Sequence, residues 1–106
     1  DATIVTNALR EILTLAAAPK EPFRILPVFD DATGNYLLMD EGWHKGERIH
    51  RVWLHIELRD GKFWIHEDNT EIGIANQLVA AGVPKHRIVL AFHDPVMRSA
   101  SGFAAE

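Results

Sequence analysis

Residues 53–68, WLHIELRDGKFWIHED, restrict this chain more than any other stretch. Two short runs of alternating apolar and polar residues meet at Asp60-Gly61. That dipeptide is a strong signal for a two-residue type I′ turn, whose central positions both need positive φ. Such a turn pairs Arg59 with Lys62 and, counting back, sets His55 opposite His66. Alternation then puts Val52, Leu54, Ile56 and Leu58 on one face with Phe63 and Ile65, which is the expected core face. The opposite face carries Trp53, His55, Glu57, Arg59, Trp64, His66 and Asp68. If His44–Glu47 is a four-residue loop, Tyr36 and Leu38 join this second face beside His55 and Trp53.

The flanking sequence supplies the other elements. In residues 3–17, Ile4, Ala8, Ile12 and Leu15 form a helical stripe with Leu9 and Leu13 beside it, and Pro19 is the expected stop. PFRILPVFDDATGNYLLMDEGW reads as two strands around a turn at Asp31–Asn35. After the second hairpin, Thr70 is the expected N-cap of a helix whose apolar face is Ile72, Ala75, Leu78, Val79 and Val83, with Gly82 as its C-cap. RIVLAFH (87–93) is rich in β-branched residues and reads as a last strand, followed by an irregular tail. The fold class is therefore α+β: one domain over residues 1–106, an antiparallel meander with an N-terminal helix and a second helix before the last strand.

Composition narrows the function classes. With 106 residues the chain can bury a core without disulfides, and its lack of cysteine removes thiolate metal sites and Cys nucleophiles. That lack also fits a reducing compartment, so a cytoplasmic location is expected. Eleven basic and 15 acidic residues leave a net charge of −4, which disfavours direct grip on a phosphate backbone. The longest apolar run, Ile12 to Pro19, is too short to span a bilayer, and no signal-peptide pattern is present. The lack of an initiator Met at Asp1 is read as a short N-terminal segment outside this sequence.

The candidate site is the polar side of the hairpin. Two imidazoles opposed across strands, with carboxylates two residues away, are suitable ligands for zinc or a similar ion. The simpler account is a half-exposed sheet face, since alternation alone produces this spacing and no helical metal motif accompanies it. No nucleophile elbow or phosphate-cradling glycine loop occurs elsewhere. The histidines at 44, 50 and 86 fall in or beside turns and read as solvated, and His93 reads as structural. Lys45, Arg48 and Arg51 form a small basic cluster offset by Asp40, Glu41 and Glu47. Trp53, Trp64, Tyr36 and Leu38 make the second face aromatic enough for a protein–protein contact, unless the tail with Phe103 or the first helix covers it.

The strings GW (42–43), IELRDGKFWI (56–65), EIGIANQLVAAGVPK (71–85), IVLAFHDP (88–95) and GFA (102–104) resemble the XisI family, the fdxN-element excision controlling factors of cyanobacteria. The similarity runs from about residue 5 to the C-terminus. His66 stands where relatives commonly have Gln, Asp94 where they have Pro and Asn69 where they have Gly, whereas His55 fits the pattern. The resemblance implies a small cytoplasmic α+β protein required for developmentally controlled DNA excision during heterocyst differentiation. The recombination itself belongs to a separate site-specific recombinase, and an XisH-like companion is the implied partner. It carries over no catalytic residue.

Three readings follow. The first is a non-enzymatic regulator without cofactor or metal, working through protein partners and as a homo-oligomer, with Tyr36, Leu38, Trp53, His55, Trp64 and His66 as the expected interface. The second is a metal-dependent nuclease or hydrolase using His55, Glu57, His66 and Asp68. The third is an excision factor that binds DNA directly.

Overall fold

A computed structural model describes residues 1–16, 23–71 and 73–106. Helix α1 (Ala2–Ala16) is followed by strands β1 (Phe23–Asp30), β2 (Asn35–His44), β3 (Glu47–Arg59) and β4 (Lys62–Asp68). Helix α2 (Ile74–Ala80), a single 3₁₀ turn, the short β5 (Ile88–Leu90) and helix α3 (Pro95–Ser99) complete the chain. The five strands form one sheet in the order β1-β2-β3-β4-β5. The first four pair antiparallel and β5 lies parallel to β4, which requires the crossover that α2 provides. The fold is α+β, as the periodicities predict.

Local chemistry explains the turns. Asp60 and Gly61 both take positive φ, and the expected pairing of Arg59 with Lys62 forms. Lys45 and Gly46 do the same between β2 and β3, so that loop has two residues and His44 pairs with Glu47. Both helices α1 and α2 pack on one face of the sheet. Val5, Ala8, Leu9 and Ile12 of α1 and Ile74, Ala75 and Leu78 of α2 share one buried cluster with Tyr36, Leu38, Leu54, Ile56, Phe63 and Ile65. Each large apolar side chain fully buried there contributes about 1.5–3 kcal/mol of transfer free energy.

Two β-bulges decide which side chains face that core. Leu38 pairs with Leu54 but Met39 pairs with Val52, so Trp53 is an extra residue on β3. His55 pairs with Glu67 but Ile56 pairs with Ile65, so His66 is an extra residue on β4. A bulge breaks the simple alternation and re-aims everything beyond it. In β4 the reason is visible: strict alternation from Phe63 and Ile65 would bury Glu67, and the bulge leaves Glu67 exposed.

The C-terminal half departs from expectation in three places. Helix α2 starts at Ile74 behind Gly73, and its first N–H is met by the Asp68 carboxylate rather than by Thr70. Strand β5 spans only Ile88–Leu90, because the chain turns at residues 91–93. The tail is not irregular throughout: Asp94 accepts a hydrogen bond from the Met97 N–H and starts α3, and Ala104 then bridges in parallel to Val89. The expected stop at Pro19, the Leu15 side chain and Ile72 fall outside the described residues. Among the described residues no helix is long and apolar enough to cross a membrane.

Candidate functional site

The polar face of the β3–β4 hairpin brings together three of the four residues foreseen as a metal or acid–base set. The imidazoles of His55 and His66 stack with ring centroids 4.7 Å apart and planes inclined by 39°. The bulge means that they are not paired across the ladder, yet it leaves both on the same face. His66 Nε2 donates to Glu57 Oε1 at 2.9 Å, and His55 Nε2 donates to Asn35 Oδ1 at 2.8 Å. Burial pushes the His55 imidazole below its ordinary pKa, His66 adds to that, and Glu57 opposes it.

Asp68 is not part of this group. The His66 bulge shifts it opposite Leu54, on the side of the sheet that carries the helices. There its carboxylate accepts from the Thr70 N–H and hydroxyl at 2.9 and 2.5 Å, and from the Ile74 N–H at 2.8 Å. It organises the entry to α2 and is fully engaged in doing so. Among the described residues no group of three or more His, Cys, Asp or Glu side chains is arranged to hold a metal ion.

The expected aromatic face also needs correction. Tyr36 and Leu38 are 1% and 0% exposed and belong to the core. Their predicted position assumed unbroken alternation from the His44–Glu47 turn, and the extra residue Trp53 reverses it. Trp53 itself is half-buried and packs against the core cluster. Val52, foreseen in the core, lies opposite Met39 on the other face. Trp64 does stay beside the histidines: its indole N–H donates to the Arg59 carbonyl at 3.2 Å, and the Arg59 guanidinium stacks 3.8 Å above its ring. Arg98 of α3 approaches the same ring at 5.9 Å.

Beside His55, Trp64 and His66, the face away from the helices carries apolar residues that the alternation did not place there. Leu26 and Val28 of β1, Leu37 and Met39 of β2 and Val52 of β3 are adjacent across the ladder, through the pairs Val28–Leu37, Leu26–Met39 and Met39–Val52. Val28 is exposed, the other four are partly buried, and none belongs to the core. At one end of this strip Glu41 binds both Arg24 and Arg48, the latter at 2.5 Å. The signal for this arrangement is present in the sequence as Val52-Trp53-Leu54, three consecutive apolar residues that a strictly alternating strand would not contain.

Comparison with known proteins agrees with this geometry. The family model described as "XisI protein" matches residues 2–105. The crystal structure of a XisI-like protein from Anabaena variabilis superposes with a TM-score of 0.78 at 27% identity, covering 95% of this chain and 97% of that one. The structure of the fdxN element excision controlling factor XisI from the same organism gives a TM-score of 0.77 at 28% identity, covering 99% and 98%. A search of curated proteins finds no match. With nearly the whole chain matched in both sequence and fold, this protein belongs to the XisI family.

Proposed function

We propose that this protein is a controlling factor for excision of a DNA element, acting through protein contacts and leaving the strand chemistry to a separate recombinase. The observation that carries this reading is the full-length likeness to the fdxN element excision controlling factor of Anabaena variabilis, 28% identical over 99% of this chain. The site geometry supports it: His66 is tied to Glu57, His55 to Asn35 and Asp68 to the start of α2. None of these groups is placed as a nucleophile–base pair of the kind that covalent catalysis requires. The net charge of −4 favours a route to DNA through partners over direct phosphate contact.

The partner to test is an XisH-like companion. A tagged copy of the chain is purified from the native host, and its associated proteins are identified and their ratio measured. Recovery of the companion in a fixed ratio supports the reading. Divalent-metal-dependent DNA cleavage by the pure protein, lost in His55→Ala, would overturn it in favour of an enzyme. A gel shift by the pure protein at ~50 mM salt with element-end DNA, where non-specific binding is strongest, would overturn the indirect route.

A further inference from the structure

The sheet has one face closed by α1 and α2, and among the described residues no helix packs on the other face over β1–β3. On the open side, Leu26, Val28, Leu37, Met39 and Val52 form a continuous apolar strip, with Val28 45% exposed. Trp43, 59% exposed, extends this face beyond Glu41. Single exposed apolar side chains are ordinary, whereas a contiguous set on one rigid sheet is the mark of a surface that another molecule covers.

The strip is polar at both ends, and the two ends differ in sign. At one end Arg24 and Arg48 share the single carboxylate of Glu41, which leaves an excess positive charge. At the other end Asp30 and Glu57 carry two negative charges against Arg59, and Glu57 also accepts from His66, so with histidine counted as neutral the formal charge there is negative. A surface that is apolar in the middle and oppositely charged at its ends is complementary to itself when rotated by half a turn.

We propose that a second copy of this chain docks on this face, sheet against sheet, about a two-fold axis that runs across the strands. The apolar strips meet at the centre, and the Arg24–Arg48 end of each copy lies over the Asp30–Glu57 end of its partner. Strand β2 has ten residues. At ~3.4 Å per residue, and three strands at ~4.8 Å spacing, the projected footprint is on the order of 500 Å² per copy. Side chains standing off the sheet raise the accessible area towards the ~800 Å² per partner of a standard interface. Edge-to-edge pairing through β1 is disfavoured, because Pro27 sits in the middle of that edge strand and offers no N–H.

The test is the molar mass of the full chain in solution, by light scattering and sedimentation across a concentration series. A dimer of twice 11.9 kDa is expected for the wild type. Met39→Glu, at the centre of the strip, is expected to raise the dimer dissociation constant by about tenfold or more, as the loss of ~1.4 kcal/mol requires. Its circular dichroism and thermal midpoint show that the fold survives, and Val28→Lys serves as a second variant should Met39→Glu fail to fold. A double variant, Arg24→Glu with Arg48→Glu, is expected to weaken the dimer, and adding Glu57→Arg to restore it in part. A wild type that stays monomeric throughout overturns the proposal. So does a dimer that Met39→Glu and Val28→Lys leave unchanged, as does a face on which a different protein is bound and the second copy is not. Dimerisation here is independent of any role in excision, so a monomeric wild type and a missing companion protein are separate failures.

Discussion

Replacing Gly34 by alanine probes the joint that sets the β2–β3 register. Gly34 closes the turn between β1 and β2 at φ +74°, and its N–H donates to the Asp30 carbonyl at 2.9 Å. Its own carbonyl accepts from the Leu58 N–H at 2.8 Å, which fastens the turn to β3. A Cβ added at Gly34 would stand 2.8 Å from the Leu58 backbone oxygen, closer than side chains tolerate. No rotamer change relieves that clash, because the obstacle is backbone. The left-handed conformation costs a non-glycine residue ~1–2 kcal/mol, and forcing extra volume into a packed position costs ~1–3 kcal/mol more. Reduced entropy of the unfolded chain returns ~0.4–1 kcal/mol. The net expectation is a loss of about 2–4 kcal/mol, a large part of a typical domain's stability. Gly61→Ala is the control: its φ is +73° and nothing lies within 4 Å of the added Cβ. It suffers the backbone penalty alone, about 0.5–1 kcal/mol after the same entropy offset. Urea unfolding followed by tryptophan fluorescence measures both, at one fixed protein concentration because a dimer makes stability depend on concentration. Equal losses for the two variants would refute the close approach of Gly34 to β3.

Three further outcomes follow from the hydrogen bonding. Tyr36 is the single tyrosine, and its hydroxyl donates to Asp31 Oδ1 at 2.6 Å. The Asp31 hydrogen bond, then burial and the charges of Asp31 and Asp30, push its pKa up to about 12. The unfolded phenol ionises near 10 while the folded one keeps its proton, so this contribution to stability is complete below pH 10 and is lost as pH rises towards 12. Alkaline titration of the tyrosinate absorbance should give a midpoint well above 10 that falls in Asp31→Asn, and a native midpoint at 10 would contradict the buried bond. Asp68→Ala should cost roughly 2–3 kcal/mol, because it removes a charged acceptor from several donors at once, whereas Thr70→Ala should cost only about 0.5–1 kcal/mol. Reversal of that order in chemical denaturation would return the capping role to Thr70. His55 has a folded-state pKa below its ordinary 6.5, so the unfolded chain takes up its proton first and stability declines as pH falls below that value. The thermal midpoint of His55→Gln should therefore fall less than that of the wild type on acidification, and parallel profiles would refute the assignment.

The elements with local causes were legible in the chain. Asp60-Gly61 specifies its own turn, because positive φ at two successive residues is a property of those residues, and the stripe of Ala8, Leu9 and Ile12 specifies a helix face. Leu54, Ile56, Phe63 and Ile65 were assignable to the core because they sit close to that turn, before any irregularity accumulates. The placement of Tyr36, Leu38, Val52 and Asp68 was not legible by counting, because each lies beyond a bulge and one inserted residue reverses every side chain after it. The clues were Val52-Trp53-Leu54 and His66-Glu67-Asp68, each a break in alternation, but such a break does not say which residue is the extra one.

Sequence by itself determined the fold class, the hairpins and the family, since turn chemistry, periodicity and a full-length pattern of motifs are carried by residues in order. Tertiary structure decided which face of the sheet is closed. The helices cover the side bearing Tyr36 and Leu38, and that choice buries those two, turns Asp68 to the start of α2 and leaves Leu26, Val28, Leu37, Met39 and Val52 on the side away from α1 and α2. The physical reason is that a strand's two faces become unequal only when something packs on one of them. Packing then selects the bulges that keep Glu67 in water and the larger apolar side chains beneath the helices.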